Sequence, residues 1–142
     1  MPVYNPPLRD MQFVMHEVLN VTADFQSMPQ HAEVDAETIN AVLEEAGKFA
    51  SEVIFPLNVS GDTEGCKLDQ KTHEVTTPKG FKEAFKQYAE GGWQGLQHPV
   101  DFGGQGLPKT IGAACGEILN SANMSFALCP LLTDGAIEAL IT

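Results

Sequence analysis

Histidine and cysteine are the side chains best suited to proton transfer, nucleophilic attack or metal ligation near neutral pH. This chain has His16, His31, His73 and His98, together with Cys66, Cys115 and Cys129. Their spacing does not assemble a site. No H-x-H or H-E-x-x-H relation exists, and His16-Glu17 lacks a second histidine four residues on, so no metal centre is expected. The cysteines are odd in number and have no C-x-x-C pair, which indicates free thiols in a reducing compartment. Cys115 and Cys129 fall on apolar helical faces and read as small buried hydrophobes. Glu117 is the one acid within a small-residue helix. It reads as a surface or ion-paired carboxylate, because a general base with a raised pKa needs desolvation. No catalytic residue is expected in this chain.

The most distinctive stretch is Gly91 to Pro108, GGWQGLQHPVDFGGQGLP. Gly104-x-Gly106 looks superficially like a phosphate cradle, but no buried strand precedes it and the third glycine is missing, so no dinucleotide site follows. The glycines allow close backbone approach, and Pro99 and Pro108 fix φ. Trp93, Leu96 and Phe102 supply apolar anchors, and His98 reads as a hydrogen-bonded loop residue. An ordered connection between two helices is expected here.

Helices must flank that connection. Leu8, Met11, Val14, Met15, Val18 and Leu19 fall at helical spacing after an extended start, and Asn20, Thr22 and Asp24 interrupt the pattern. Ile39, Val42, Leu43, Ala46, Phe49, Ala50, Val53, Ile54 and Leu57 predict the clearest helix, with Asp35 as N-cap and Pro56 near its end. Gly61-Asp62 and Gly65 predict turns, and Lys67 to Asp69 with His73 to Thr76 a small hairpin. Thr77-Pro78 predicts the start of a helix carrying Phe81, Ala84, Phe85, Tyr88 and Ala89, ended by Gly91-Gly92. Pro108 opens a further helix with Ile111, Ala114, Cys115, Ile118 and Leu119 on one face. Gly112, Ala113 and Gly116 make another face small enough for a neighbouring helix or an elongated ligand. Asn120 to Asn123 predicts a break, then a last helix from about Ser125 that bends or restarts around Pro130 to Gly135.

The expected fold is all-α, an antiparallel helical bundle with one small hairpin. Residues 1–34 are expected to hold an extended segment and the first helix, and residues 35–142 the bundle, cut short at its C-terminal end. With 19 acidic against 8 basic residues the net charge is -11, which argues against nucleic acid or an anionic membrane surface as partner. The start lacks a basic and apolar leader, and no run approaches the roughly 20 apolar residues of a membrane span, so a cytoplasmic protein is expected.

Gly92-Trp93-x-Gly95-Leu96-x-x-Pro99 followed by Phe102-Gly103-Gly104-Gln105-Gly106-Leu107-Pro108 resembles the amino-terminal helical domain of the acyl-CoA dehydrogenases. Tyr4-Asn5-Pro6-Pro7-Leu8-Arg9-Asp10 and Pro56-Leu57-Asn58-x-Ser60-Gly61-Asp62 extend the resemblance to the long bacterial branch, whose members act on medium or long acyl chains or on methylthiopropanoyl-CoA. The resemblance implies an oxidoreductase with FAD that dehydrogenates the α,β bond of an acyl-CoA. It also implies a homo-oligomer and an electron-transfer flavoprotein as acceptor. The β domain that holds flavin and the carboxy-terminal domain that carries the catalytic glutamate are not expected in these residues, so the chain alone is expected to bind no FAD and to be inactive. What the resemblance assigns here is one wall of the acyl pocket, on the helix after the glycine-rich turn, with Ile111, Ala114 and Cys115 as substrate-binding positions. The rival expectation is a free-standing helical interaction module that binds a partner through exposed apolar helix faces. Leu131, Leu132, Leu140 and Ile141 are the residues expected to mediate self-association.

Overall fold

Ile39, Leu43, Ala46, Ala50 and Ile54 recur at intervals of three and four, and all five are buried in the computed structural model, which describes residues 3–141. They form the inner stripe of α3 (Ala36–Phe49) and of the π-helical turn Ala50–Ile54 that continues it. Asp35 caps α3 by accepting the N–H of Thr38 at 2.8 Å, and this bond lowers the pKa of its carboxyl. Opposite lies α6 (Lys109–Ala122), which presents Ile111, Cys115, Ile118 and Ala122 to the same core.

The other elements enclose this pair. α5 (Phe81–Glu90) adds Ala84 and Tyr88, and α7 (Met124–Ile141) adds Phe126, whose ring meets those of Phe81, Phe85 and Tyr88 at 5.8–6.4 Å. α1 (Leu8–Gln12), a π-helical turn at Phe13–Val18 and α2 (Val21–Gln26) bring Met15, Val21 and Phe25 onto the same cluster. α4 (Leu57–Glu64) leads to the expected hairpin, β1 (Lys67–Leu68) antiparallel to β2 (Val75–Thr76), with Lys67 opposite Thr76. Upstream of α1, the Tyr4 hydroxyl donates to the Ile118 carbonyl at 3.1 Å and its ring stacks on Phe55. The all-α bundle with one hairpin is the architecture the sequence predicts.

Local boundaries differ in instructive ways. The first helix becomes π-helical, as the bond from Leu19 N–H to Val14 O shows, and the extra residue rotates the downstream face. Met15 stays buried, whereas Val14, Val18 and Leu19 turn outward. After Asn20, which sits at φ 51°, the chain forms α2 where an interruption is expected. Gly61-Asp62 lies inside α4 and not in a turn. The next helix starts at Phe81, not Thr77: Gly80 takes φ 91°, and the backbone of Lys79 is held by Glu64 and Ser60 of α4. α7 runs unbroken through Pro130 and Gly135, against the expected bend or restart, and Cys129 on it is exposed, not buried. With only Asp134 and Glu138 as charges over 18 residues, α7 is long and apolar enough to cross a membrane by length and composition, contrary to the expectation that no run approaches that size. Both acids are engaged by side chains of the bundle.

A single residue, Asn123, separates α6 from α7. It is 2% exposed, and its Oδ1 accepts the N–H of Phe126 at 3.0 Å while its Nδ2 donates to the Ile54 carbonyl at 3.4 Å. That acceptor is open because, where α4 begins, the N–H of Asn58 turns back to Phe55 O and not to Ile54 O, its usual helical partner. Asn123→Ala strands a buried donor and a buried acceptor together. It is expected to lower stability by about 2–3 kcal/mol, read as a reduced urea midpoint at unchanged slope.

Candidate functional site

The stretch from Gly91 to Pro108 is a loop folded back on itself. Its second half pairs with its first through Gln105 N–H to Gly95 O at 2.8 Å, Gly106 N–H to His98 O at 2.9 Å and Leu107 N–H to Leu96 O at 3.0 Å. Short 3-10 turns at Trp93–Gly95 and Val100–Phe102 shape the two halves. At Gly104 the strands of the loop come so close that a Cβ would lie 2.1 Å from the His98 carbonyl oxygen. Trp93 stacks on Phe49 at 5.9 Å and Leu96 is buried, as expected of anchors. Phe102 is not an anchor: it is 82% exposed at the tip of the second turn.

Behind the loop lies a cavity of about 80 Å³. Its floor is apolar, with Ala46 and Phe49 from α3, Leu96 from the loop and Leu119 from α6. α6 borders it with Gly112, Cys115 and Gly116, and α7 with Ala127, Pro130 and Leu131. The small face of α6 divides its duties. The side chain of Gln97 sits on Gly112, where a Cβ would come 2.2 Å from Oε1, while a Cβ on Gly116 would meet nothing within 4 Å. The close neighbour that Gly112 admits is therefore a loop side chain and not another helix.

Of the three positions expected to contact substrate, Cys115 is buried and lines this cavity. Ile111 is fully buried within the core one turn earlier, and Ala114 is half-buried against the core. Burial pushes the Cys115 thiol up to about 12, so at neutral pH it is an inert neutral group. Glu117 is exposed on the outer side of α6.

The cavity also has a polar edge that the sequence reading missed, formed by Gln94, Gln97, Asn120 and Asp134. Gln94 Nε2 donates to Asp134 Oδ1 at 2.5 Å, and His98 Nε2 lies 2.9 Å from the same oxygen. His98 is thus the hydrogen-bonded loop residue expected, and it is 5% exposed. The signal for this edge was an acid in the middle of an apolar helix: Asp134 needs a partner, and the polar side chains of the loop are the nearest supply. Tyr88 borders the cavity from α5, and burial first, then the charge of Asp134, raises its phenol above the ordinary range. Outside, an open groove of about 530 Å³ shares Phe49, Trp93 and Leu96 with the cavity. Among the described residues no group of three or more His, Cys, Asp or Glu side chains is placed to hold a metal ion.

No protein-family model matches the chain. Over 137 residues, 96% of its length, it is 47% identical to 3-methylmercaptopropionyl-CoA dehydrogenase of Ruegeria pomeroyi, of which the match covers 23%. Over 120 residues, 84% of its length, it is 30% identical to the broad-specificity linear acyl-CoA dehydrogenase FadE5 of Mycobacterium tuberculosis, of which the match covers 20%. The chain is therefore homologous to acyl-CoA dehydrogenase family members over most of its length, and it spans about a fifth of the length of these curated relatives. Its bundle and hairpin are consistent with the amino-terminal helical domain of that family.

Two outcomes follow for α6. Gly116→Ala is expected to raise stability by about 0.5–1 kcal/mol, since alanine is the better helix former and nothing obstructs its Cβ. The folded state holds the Cys115 proton more tightly than the unfolded chain, whose thiol titrates near 9.0. The stability this group contributes is thus fully present below about pH 9 and is lost as pH rises toward about 12. Urea titrations across that alkaline range are expected to show a steeper loss in the parent than in Cys115→Ala.

Proposed function

We propose that this chain is the amino-terminal helical part of an FAD-dependent acyl-CoA dehydrogenase, and that it supplies one wall of the acyl pocket. The observation that carries the reading is the open surface at Gly116 beside Cys115. A helix position where a side chain would fit without obstruction, yet has none, leaves room for a ligand. The homology over 96% of the chain supports the family, and the apolar floor supports an alkyl or thioether tail as the occupant. Cys115 and Gly116 face that tail, with Ile111 and Ala114 as the wall behind them.

The higher identity to the Ruegeria pomeroyi enzyme supports a short acyl end of the methylthiopropanoyl kind as the occupant. The proposal assigns the flavin, the catalytic glutamate and the electron-transfer flavoprotein contact to residues outside this chain. The exposed apolar residues of α7, with Leu132 at 77% and Leu140 at 85%, are the face on which the rest of such an oligomeric cytoplasmic enzyme packs. On this reading the chain alone turns over no substrate.

The test is a substrate series on the full-length polypeptide that carries this segment. Flavin bleaching and kcat/KM are measured with acyl-CoA thioesters of increasing chain length and with 3-methylthiopropanoyl-CoA, for the parent and for Gly116→Leu and Ala114→Phe. Each methylene excluded from the wall is worth about 0.8 kcal/mol. The variants are therefore expected to lose at least tenfold in kcat/KM on the longer members while the shortest are spared. An equal loss on every substrate, or no bleaching of flavin by any acyl-CoA, overturns the reading.

A further inference from the structure

The polar side chains on the cavity edge are not equally engaged. Gln94 Nε2 donates to the Pro130 carbonyl at 3.3 Å and to Asp134 Oδ1 at 2.5 Å. Asp134 is held in turn by His98, whose Nε2 stands 2.9 Å from the same oxygen. Asn120 Nδ2 donates to the Gly116 carbonyl at 2.8 Å, one turn back in its own helix. Gln97 differs: among the described residues no group hydrogen-bonds its side-chain amide, although it lines the same cavity.

An amide without a partner is not thereby a loose one. The neighbours of Gln97 fix its backbone from both sides. Leu96 O accepts from Leu107 N–H at 3.0 Å, while His98 donates its N–H to Gly95 O at 3.2 Å and accepts from Gly106 N–H at 2.9 Å. The Gln97 side chain then lies against α6 at Gly112, where a Cβ would come 2.2 Å from Oε1, 3.0 Å from Cδ and 3.4 Å from Gln97 Cβ. Contact along its whole length holds one rotamer. The oxygen is the end set against Gly112, which leaves Nε2 as the free end, a donor. Gly116, whose surface is clear, follows one turn later on α6, roughly 6 Å along the axis. A fixed donor without a partner thus stands one helical turn from the space assigned to the tail.

We propose that Gln97 determines which tails the pocket takes, by donating a hydrogen bond from Nε2 to a sulfur or oxygen atom within the tail. The inference rests on the reading of this cavity as part of an acyl pocket. It adds the group that tells a thioether or ether tail from a hydrocarbon of the same length. A tail that covers Gln97 takes water away from its amide. An ether oxygen or, more weakly, a thioether sulfur replaces that water as acceptor, whereas a methylene leaves the donor covered and unpaired. A site built around a hydrogen bond rejects the analogue that lacks the matching atom more strongly than an apolar slot separates two tails of equal size. Gln94 and Asn120 cannot take this part without first giving up bonds to the protein.

The test uses the flavin-loaded, full-length polypeptide that carries this segment. Values of kcat and KM are measured for 3-methylthiopropanoyl-CoA and pentanoyl-CoA, whose tails have equal numbers of non-hydrogen atoms, in the parent, Gln97→Leu, Gln97→Met and Gly112→Ala. The intrinsic reactivity of each thioester is common to all these proteins, so it cancels when a variant's preference is divided by that of the parent. Gln97→Leu and Gln97→Met are expected to lower the preference for the thioether about fivefold, mostly by raising its KM, with pentanoyl-CoA held or improved. Gly112→Ala, whose methyl group takes the place of the Gln97 oxygen, is expected to move the preference in the same direction. An equal loss on both thioesters in the Gln97 variants makes Gln97 a support of the loop and overturns the inference, as does an unchanged preference. Either of those results leaves the acyl pocket standing. No flavin bleaching by either thioester in the parent brings down the pocket and the inference together. Gln97→Met keeps the length of the side chain, so it decides the matter if Gln97→Leu does not fold.

Discussion

The contact on which the site depends is between two stretches of backbone. Gly104 lies against the carbonyl of His98, and no other residue type fits there without moving the loop, since the obstacle is main chain and not a pliable side chain. That closeness lets the N–H groups of Gln105, Gly106 and Leu107 reach the carbonyls of Gly95, His98 and Leu96, so the loop satisfies its own polar groups. The folded loop then has two faces. Trp93 and Leu96 go to the core, while Gln94, Gln97 and His98 go to α6 and α7.

Those three polar side chains give the cavity its asymmetry. An apolar floor built by α3 and α6 is what the core would make unaided. The edge toward α7 is different because Asp134, placed in an otherwise apolar helix, must be solvated by protein. Gln94 and His98 perform that solvation, and in doing so they fix the distance between loop and helix. Charge and shape are thus set by one group of contacts, with Gln97 filling the space over Gly112 and Gly116 left clear beside it.

What was legible in the sequence was whatever rests on periodicity and on composition. The stripe Ile39, Leu43, Ala46, Ala50, Ile54 could be read directly, as could the Asp35 cap and the hairpin. The anchoring of Trp93 and Leu96 was readable because large apolar side chains in a glycine-rich loop need a place to bury. Three features were not readable. A π-turn follows from long-range packing and has no residue signature, so the outward turn of Val14, Val18 and Leu19 escaped. Pro130 looks like a breaker locally, yet α7 passes through it because Phe126, Ala127 and Pro130 are held in the core on one side and Asp134 is bound on the other. The start of α5 was displaced because Lys79 is held by α4, a tertiary contact that overrides the N-cap propensity of Thr77. For the site, Cys115 was visible as an apolar helix position. The polar edge was not, since it is drawn from a loop and a helix some forty residues apart.

The two π-helical turns, at Phe13–Val18 and Ala50–Ile54, have a bearing on how such a chain can vary. Each holds one residue more than an α-helical path of the same span, and that surplus behaves as a stored insertion. Removing it by a one-residue deletion would close the helix into an ordinary ladder and leave the later side chains on the faces they now occupy. Aligned with kin that lack the surplus residue, this chain should show a single-position gap inside a helix, where a gap would ordinarily be moved to the nearest loop.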